Sequence, residues 1–497
     1  MTDTLFDASR PGRRNGHHIP EPLAAPPDIP EHLRRAVPPL LPQVSELQVV
    51  RHFTRLSQLN FSVDTQFYPL GSCTMKYNPR SCQVLASLPG FLNRHPLAST
   101  ESGQGVMRCL HELQEMLGEI AGMRAVSLVP MAGAQGEFAG VAMIRAYHRA
   151  RGDDARRVML VPDASHGTNP ATAAMCGLTV QEIPTDSQGD VNLDALARAV
   201  GPQTAGLMLT NPSTLGVFER RIGRMAEIVH AAGGLLYYDG ANLNAVAGRV
   251  RPGDMGFDAV HFNVHKTFAT PHGGGGPGAG PVAVSERLAP YLPLPVVKKT
   301  SDDKGRDWFS WMSEADLPES IGRLSTFAGN IGVLLRAHIY LRLIGSEGLE
   351  RVSGFATLNA NYLMTRLIEA GFTVAFPDRR ATHEFIVSLK PEAEAFGVSA
   401  LDFAKRLLEF GFHAPTIYFP ALVPECLLIE PTETETKETL DQFVEAMIAI
   451  RREAETNPQR LHTAPHAVPV PGAGVGRLDA TRAARKPDLI WKESFNR

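Results

Sequence analysis

Residues 235–239 read LLYYD, and residues 259–266 read AVHFNVHK. Each is an apolar run that stops on a chargeable side chain, Asp239 in one and Lys266 in the other. Short, continuous apolar runs mark strands buried on both faces, which is the habit of a parallel sheet. In open α/β sheets, ligands bind outside the carboxyl ends of the strands. A lysine desolvated at such an end can attack a carbonyl. The plain alternatives are a solvated surface lysine and, for Asp239, an N-cap. The rest of the chain decides between these readings.

Working outward, the same kind of run recurs as VSLVP (126–130), RRVMLVP (156–162), LTVQEI (178–183), AGLMLT (205–210) and PVAVS (281–285). Helical patterns such as EFAGVAMIRAYHRA and GRMAEIVHAAG lie between them. Strands separated by helices predict right-handed βαβ crossovers and a mostly parallel sheet covered on both faces. The fold class is therefore α/β, with a large domain over 90–325. GNIGVLLRAHIYLRLIG reads as a helix crossing back. Residues 326–455, with EFIVSL at 384–389, read as a smaller α+β domain. Residues 1–89 form an N-terminal arm and lead-in, and 456–497 a Pro/Gly-rich tail. Leu33, Leu40 and Leu41 would be buried if the arm wraps a partner.

Composition narrows the function classes. Lys+Arg number 49 against 52 Asp+Glu, a net charge of −3, so nothing favours nucleic acid or an anionic membrane. No apolar run is long enough to span a bilayer and the N-terminus lacks a secretory h-region, which predicts a cytoplasmic protein. The five cysteines are scattered without a CxxC pair, as expected of free thiols, and no metal site is expected.

Two more segments carry chemistry. PMAGAQGEFAGVAMIRAY (130–147) passes from strand through small residues into a helix. The amides of Gly133, Ala134 and Gln135 at that helix start are placed to bind a phosphate. The segment lacks GK[ST] and is not G-x-G-x-x-G, so nucleotide motifs fit poorly. His166, in DASHGTNPAT, follows another strand, where an imidazole can stack on a planar ring and guide a proton. Gly273 to Gly276, after the lysine, read as a turn that admits a ligand closely or as a solvated hairpin.

Lysine, aspartate, histidine and small-residue loop together resemble fold-type I pyridoxal phosphate enzymes. More specifically, PLGSCTMKYNP (69–79), AGAQGE (132–137), SHGTNPA (165–171), NPSTLGVFE (211–219), DGANLNA (239–245), NVHKTFATPHGGGGPG (263–278) and IEPTETETKETLD (429–441) resemble the glycine cleavage system P-protein family, in its two-subunit form. The resemblance implies a pyridoxal 5'-phosphate enzyme that decarboxylates glycine and transfers the aminomethyl group to the lipoyl arm of H-protein. Lys266 would then anchor the cofactor, Asp239 would face its pyridine nitrogen and His166 would stack on the ring. Asn263 and His265 would contact phosphate, and Thr214 and Asn242 the 3′-oxygen region or substrate. Ala132 stands where many relatives have serine, which leaves phosphate binding to backbone amides. The resemblance also implies a subunit 1 partner in an α2β2 heterotetramer. A cysteine desulfurase on the same fold and a non-catalytic structural subunit are the alternatives. The first wants a reactive cysteine on a mobile loop, and the second would lack the lysine.

Overall fold

The computed structural model describes residues 4–13, 29–37, 39–273, 278–466 and 477–487. Every apolar run named above becomes a strand; the central ones bury both faces, while β3 at the sheet edge is largely exposed. The main sheet contains β1 (Ala125–Ser127), β2 (Val158–Pro162), β3 (Thr179–Ile183), β4 (Thr204–Thr210), β5 (Leu235–Gly240), β6 (Ala259–Phe262) and β7 (Val282–Val284). Its order is β1-β7-β6-β5-β4-β2-β3. The pairs from β6 through β3 are parallel, whereas β7 runs antiparallel to both β1 and β6. Strands β4, β5 and β6 are buried along their whole length. They form the centre of the sheet, and their carboxyl ends form the floor of the site.

Helices cover the two faces. Gln104–Ala121 buries Val106, Leu110, Leu113, Leu117 and Ala121 along one stripe. It stops at Gly122, whose φ of 65° is the left-handed conformation a helix C-terminus favours. Gly133–Ala150 packs on the opposite face, where Gly140 lies so close to the Tyr237 ring that a Cβ could not be accommodated. A hairpin of β8 (Val297–Ser301) and β9 (Asp307–Trp311) follows the sheet. Its lysines and aspartates hide the apolar pattern that would announce strands.

The helix predicted after residue 328 runs over Ile331–Glu369 and is broken at Gly345, with φ 63° and ψ −172°. Its first half packs on the main core and its second half on a separate one. The second core lies under an antiparallel sheet, β10 (Thr373–Val374), β11 (Phe385–Ser388), β13 (Cys426–Ile429) and β12 (Thr416–Ile417) in that order. Residues from the lead-in join it. Phe67 is part of this core, Leu70 bridges to Ile429, and the Gly71 amide donates to the Leu428 carbonyl at 3.2 Å. The segment 69–79 is thereby pinned between the two sheets.

Leu33, Leu40 and Leu41 are exposed within this chain, at 67%, 80% and 71%. Gly274 to Gly276 lie outside the described residues. Among the described residues no helix is long and apolar enough to cross a membrane.

Candidate active site

Strand endings bring the site together. Asp239 is the penultimate residue of β5, Thr210 closes β4, and β6 runs through Asn263 into the one-turn helix Val264–Thr267 that carries Lys266. They surround a cavity of about 200 Å³ lined also by Gly133, Ala134, Glu137, His166, Thr214, His261, Asn263, His265 and Ser72. Of the residues singled out from sequence, Gln135 and Asn242 do not line it. The Gln135 amide bonds back to the Ala132 carbonyl, and its side chain accepts from the Met131 amide. Asn242 is turned toward the Pro212 carbonyl and Glu384.

Lys266 Nζ donates to the Ser72 carbonyl at 2.8 Å. Ser72 has a left-handed φ of 63° and donates its amide to Glu384 Oε2 at 2.6 Å. The segment 69–79 thus forms the wall facing the lysine. Cys73 on this wall has its Sγ 3.6 Å from His272 Nε2, and burial pushes its thiol pKa up.

Asp239 is held from three sides. Its Oδ1 accepts from the Ala241 amide at 3.0 Å and lies 3.5 Å from His261 Nε2. Its Oδ2 accepts from Asn169 Nδ2 at 3.1 Å. Burial works to raise its pKa, but the His261 ring, the Ala241 amide, Asn169 and Lys266 together hold it below the ordinary value. Behind it, the Tyr237 hydroxyl meets His261 Nδ1. A fixed carboxylate therefore faces the cavity floor.

The opposite end presents unpaired amides at a helix start. The helix Gly133–Ala150 begins at Ala132 without a side-chain cap. Among the described residues, neither the Gly133 nor the Ala134 amide has a backbone acceptor. Such amides, with the positive end of the helix dipole, attract a phosphate. Nearby, Asn263 Oδ1 and His265 Nδ1 are buried without a partner, as is Thr210 Oγ1 at the end of β4. Burial, His272 and Lys266 lower the His265 pKa to about 3, so its ring is neutral. Thr214 Oγ1 is committed to the Ala164 carbonyl at 2.7 Å. His166 is exposed at the mouth, its Nδ1 accepting from the Thr168 amide at 3.2 Å.

Glu137 was not singled out from the sequence. It is the last residue of AGAQGE, and only burial beside Asp239 gives it significance. The trio His383, Glu384 and Glu430 brings potential ligating atoms within 4.8 Å of one another at the end of β11 and β13. Both acids already serve the segment 69–79: Glu384 accepts from the Ser72 amide, and Glu430 from the Thr74 hydroxyl. Burial raises the Glu384 pKa to about 7, and burial with the neighbouring Glu384 raises that of Glu430 well above its ordinary value.

An amino group, a fixed carboxylate and orphaned amides around one cavity suit a planar, phosphorylated carbonyl cofactor. Comparison with known proteins agrees. The family model "Glycine dehydrogenase, C-terminal domain" matches residues 352–466, and "Aminotransferase class-V" matches 137–279. A protein of Methylococcus capsulatus, "Probable glycine dehydrogenase (decarboxylating) subunit 2", is 64% identical over 488 residues, covering 98% of both chains. A Coxiella burnetii protein of the same description is 63% identical and covers 98% of this chain and 97% of its own. Among solved structures, glycine decarboxylase (P-protein) of the glycine cleavage system, in inhibitor-bound form, matches with a TM-score of 0.70 at 25% identity. That match covers 87% of this chain and 93% of the other. A NifS-like protein at 14% identity and TM-score 0.60 shares the fold. A subunit 2 implies a subunit 1, and the cofactor of this fold-type I enzyme is pyridoxal 5'-phosphate. The chain belongs to the glycine dehydrogenase (decarboxylating) subunit 2 family.

Proposed function

We propose that this chain binds glycine, releases its carboxylate as CO2, and passes the aminomethyl group to the lipoyl disulfide of H-protein. The observation that carries this reading is the convergence of Lys266, Asp239 and His166 on a cavity whose far end presents the orphaned amides of Gly133 and Ala134. When bound, pyridoxal phosphate supplies the electron sink for the pair released from the bond between the glycine α-carbon and its carboxylate. Lys266 Nζ would anchor the cofactor covalently. Asp239 keeps the pyridine nitrogen protonated. His166, which lines the cavity, would cover the ring. The Gly133 and Ala134 amides hold the phosphate, assisted by Asn263 and His265. Thr214 shapes the edge of the pocket, while Gln135 and Asn242 support it from behind.

The transfer reduces a disulfide. One lipoyl sulfur gains the carbon, and the other leaves as a thiolate and takes a proton. The chain works in the cytoplasm beside subunit 1 in an α2β2 heterotetramer, without a nucleic-acid or membrane partner. A cysteine desulfurase would want its reactive thiol on a mobile loop, whereas the half-buried Cys73 sits in a segment pinned to the second sheet through Leu70 and Gly71, and burial pushes its thiol pKa up. The test is exchange of labelled CO2 into the carboxyl of glycine by this chain with subunit 1 and lipoylated H-protein. Exchange that needs all three is expected, and its absence from the full mixture would sink the glycine reading.

The phosphate end offers a second test. A Cβ on Gly133 would overlap the Asn263 side-chain oxygen. Gly133→Ala should therefore weaken pyridoxal phosphate binding about tenfold or more, roughly 1.4 kcal/mol, at an unchanged Tm. Equilibrium titration with the cofactor, followed by absorbance, measures this. Unchanged affinity would exclude the helix start as the phosphate seat.

A further inference from the structure

Glu137 presents a physical puzzle. It is 2% exposed and lines the cavity beside Asp239. None of the groups acting on it most strongly is a cation: they are Asp239, Asn169, Thr168 and Thr172. A buried, unpaired carboxylate is expensive, and a glutamine of the same shape would fill the space at lower cost. The carboxyl also has a specific partner. Asn169 Nδ2 donates one hydrogen to Glu137 Oε1 at 2.9 Å and the other to Asp239 Oδ2 at 3.1 Å. Both hydrogens of that amide are thereby committed, and its Oδ1 is left buried without a partner.

We propose that Glu137 is a positioning residue for the pyridine end of the cofactor, joined to Asp239 through the Asn169 amide and storing a proton so that Asp239 alone carries the negative charge there. The inference rests on the cofactor reading above and goes beyond it, since Glu137 was assigned no role.

The electrostatics run in the same direction. Two carboxyls sharing one buried site cannot both ionise cheaply, so the pair separates into one anion and one acid. Asp239 has the His261 ring and the Ala241 amide on its side and is the anion. Glu137 is the acid, with its pKa raised to about 7 by burial and by the charge on Asp239. The other groups facing this pair are Tyr237 and Tyr238 from β5, His261 from β6, His166 across the cavity, Cys176 beyond the helix Thr168–Met175, and Lys266. Burial raises the Tyr237, Tyr238 and Cys176 pKa values and lowers those of His261 and His166, so none of these five changes charge as pH rises through 7. As pH rises through 7, Glu137 loses its proton and a second anion enters the cavity floor.

The test uses the visible absorbance of bound pyridoxal phosphate, followed against pH in the holoenzyme. The wild type should show a spectral step near neutral pH. Glu137→Gln keeps an acceptor for Asn169 and should bind the cofactor within about threefold of wild type, but lose that step. Glu137→Leu removes the acceptor, freeing Asn169 and loosening Asp239, and should bind the cofactor about tenfold more weakly. A neutral step unchanged in Glu137→Gln would overturn the proposal. So would wild-type affinity in Glu137→Leu. A wild type with no visible band at all would overturn the cofactor reading as well, which separates the two failures.

Discussion

Lys266→Ala is expected to abolish turnover, to remove the visible band of the cofactor-loaded protein, and to leave the fold intact. Among the described residues, no other amine lines the cavity. Within hydrogen-bond distance of Ser72, Lys266 Nζ makes its bond at the cavity wall. The buried Lys76 is held by Asn244, the Thr267 carbonyl and Glu433 instead. A loss of at least about 10⁴-fold corresponds to roughly 5.5 kcal/mol of barrier, a reasonable share for a covalent anchor. The structural effect should be small. Lys266 makes one hydrogen bond and is only partly buried, so Tm should move by no more than a few degrees. Single-turnover decarboxylation, the spectrum and a melting curve measure the three consequences separately. Activity within tenfold of wild type would remove Lys266 from the mechanism, and a collapsed Tm would make it a structural residue.

How much of this was legible beforehand depends on where each residue sits in the chain. Asp239 and Lys266 end apolar strands, and a strand's direction and end can be read from the run itself. Gly133, Ala134 and His166 follow strands in the same way. The antiparallel course of β7 was not legible, because PVAVS is an equally good apolar run in either direction. Glu137 and Lys76 were overlooked for a different reason. A charged residue in a helix or loop reads as solvated until tertiary packing buries it, and the groups that bury these two are distant in sequence. Glu137 depends on Asn169 and Asp239, and Lys76 on Asn244, Thr267 and Glu433. The AGAQGE and PLGSCTMKYNP motifs contained both residues, but a motif does not tell which of its side chains turn inward. Gln135 shows the converse. It stands at a helix start beside two orphaned amides, yet its own amide is consumed by Ala132.

Lys76→Met is expected to give the largest loss of stability and to damage the site from outside it. The side chain is 1% exposed and reaches three acceptors: Asn244 Oδ1 at 2.9 Å, the Thr267 carbonyl at 2.7 Å and Glu433 Oε1 at 2.7 Å. The Thr267 carbonyl belongs to the turn that carries Lys266, and Glu433 follows β13 of the smaller sheet. One ammonium therefore joins the segment 69–79, the lysine turn and the second core. Methionine fills the volume but strands the Glu433 carboxylate, and removing one partner of a buried pair costs about 3–5 kcal/mol. Burial works to lower the Lys76 pKa, but Glu433 and Tyr340 outweigh it, and the folded value lies above the unfolded one. The pair's contribution is accordingly full below about pH 10 and fades only as pH rises through the folded pKa. The deficit of Lys76→Met should be constant from about pH 6 to 9. Glu433→Gln added to Lys76→Met should recover part of it, because no buried charge is then left unpaired. Denaturant unfolding of the assembled enzyme supplies the stability figures, and cofactor titration should show weaker binding in the single variant and partial rescue in the double. A single variant within about 1 kcal/mol of wild type, or a double variant worse than the sum of its parts, would show that Lys76 does not join these three elements.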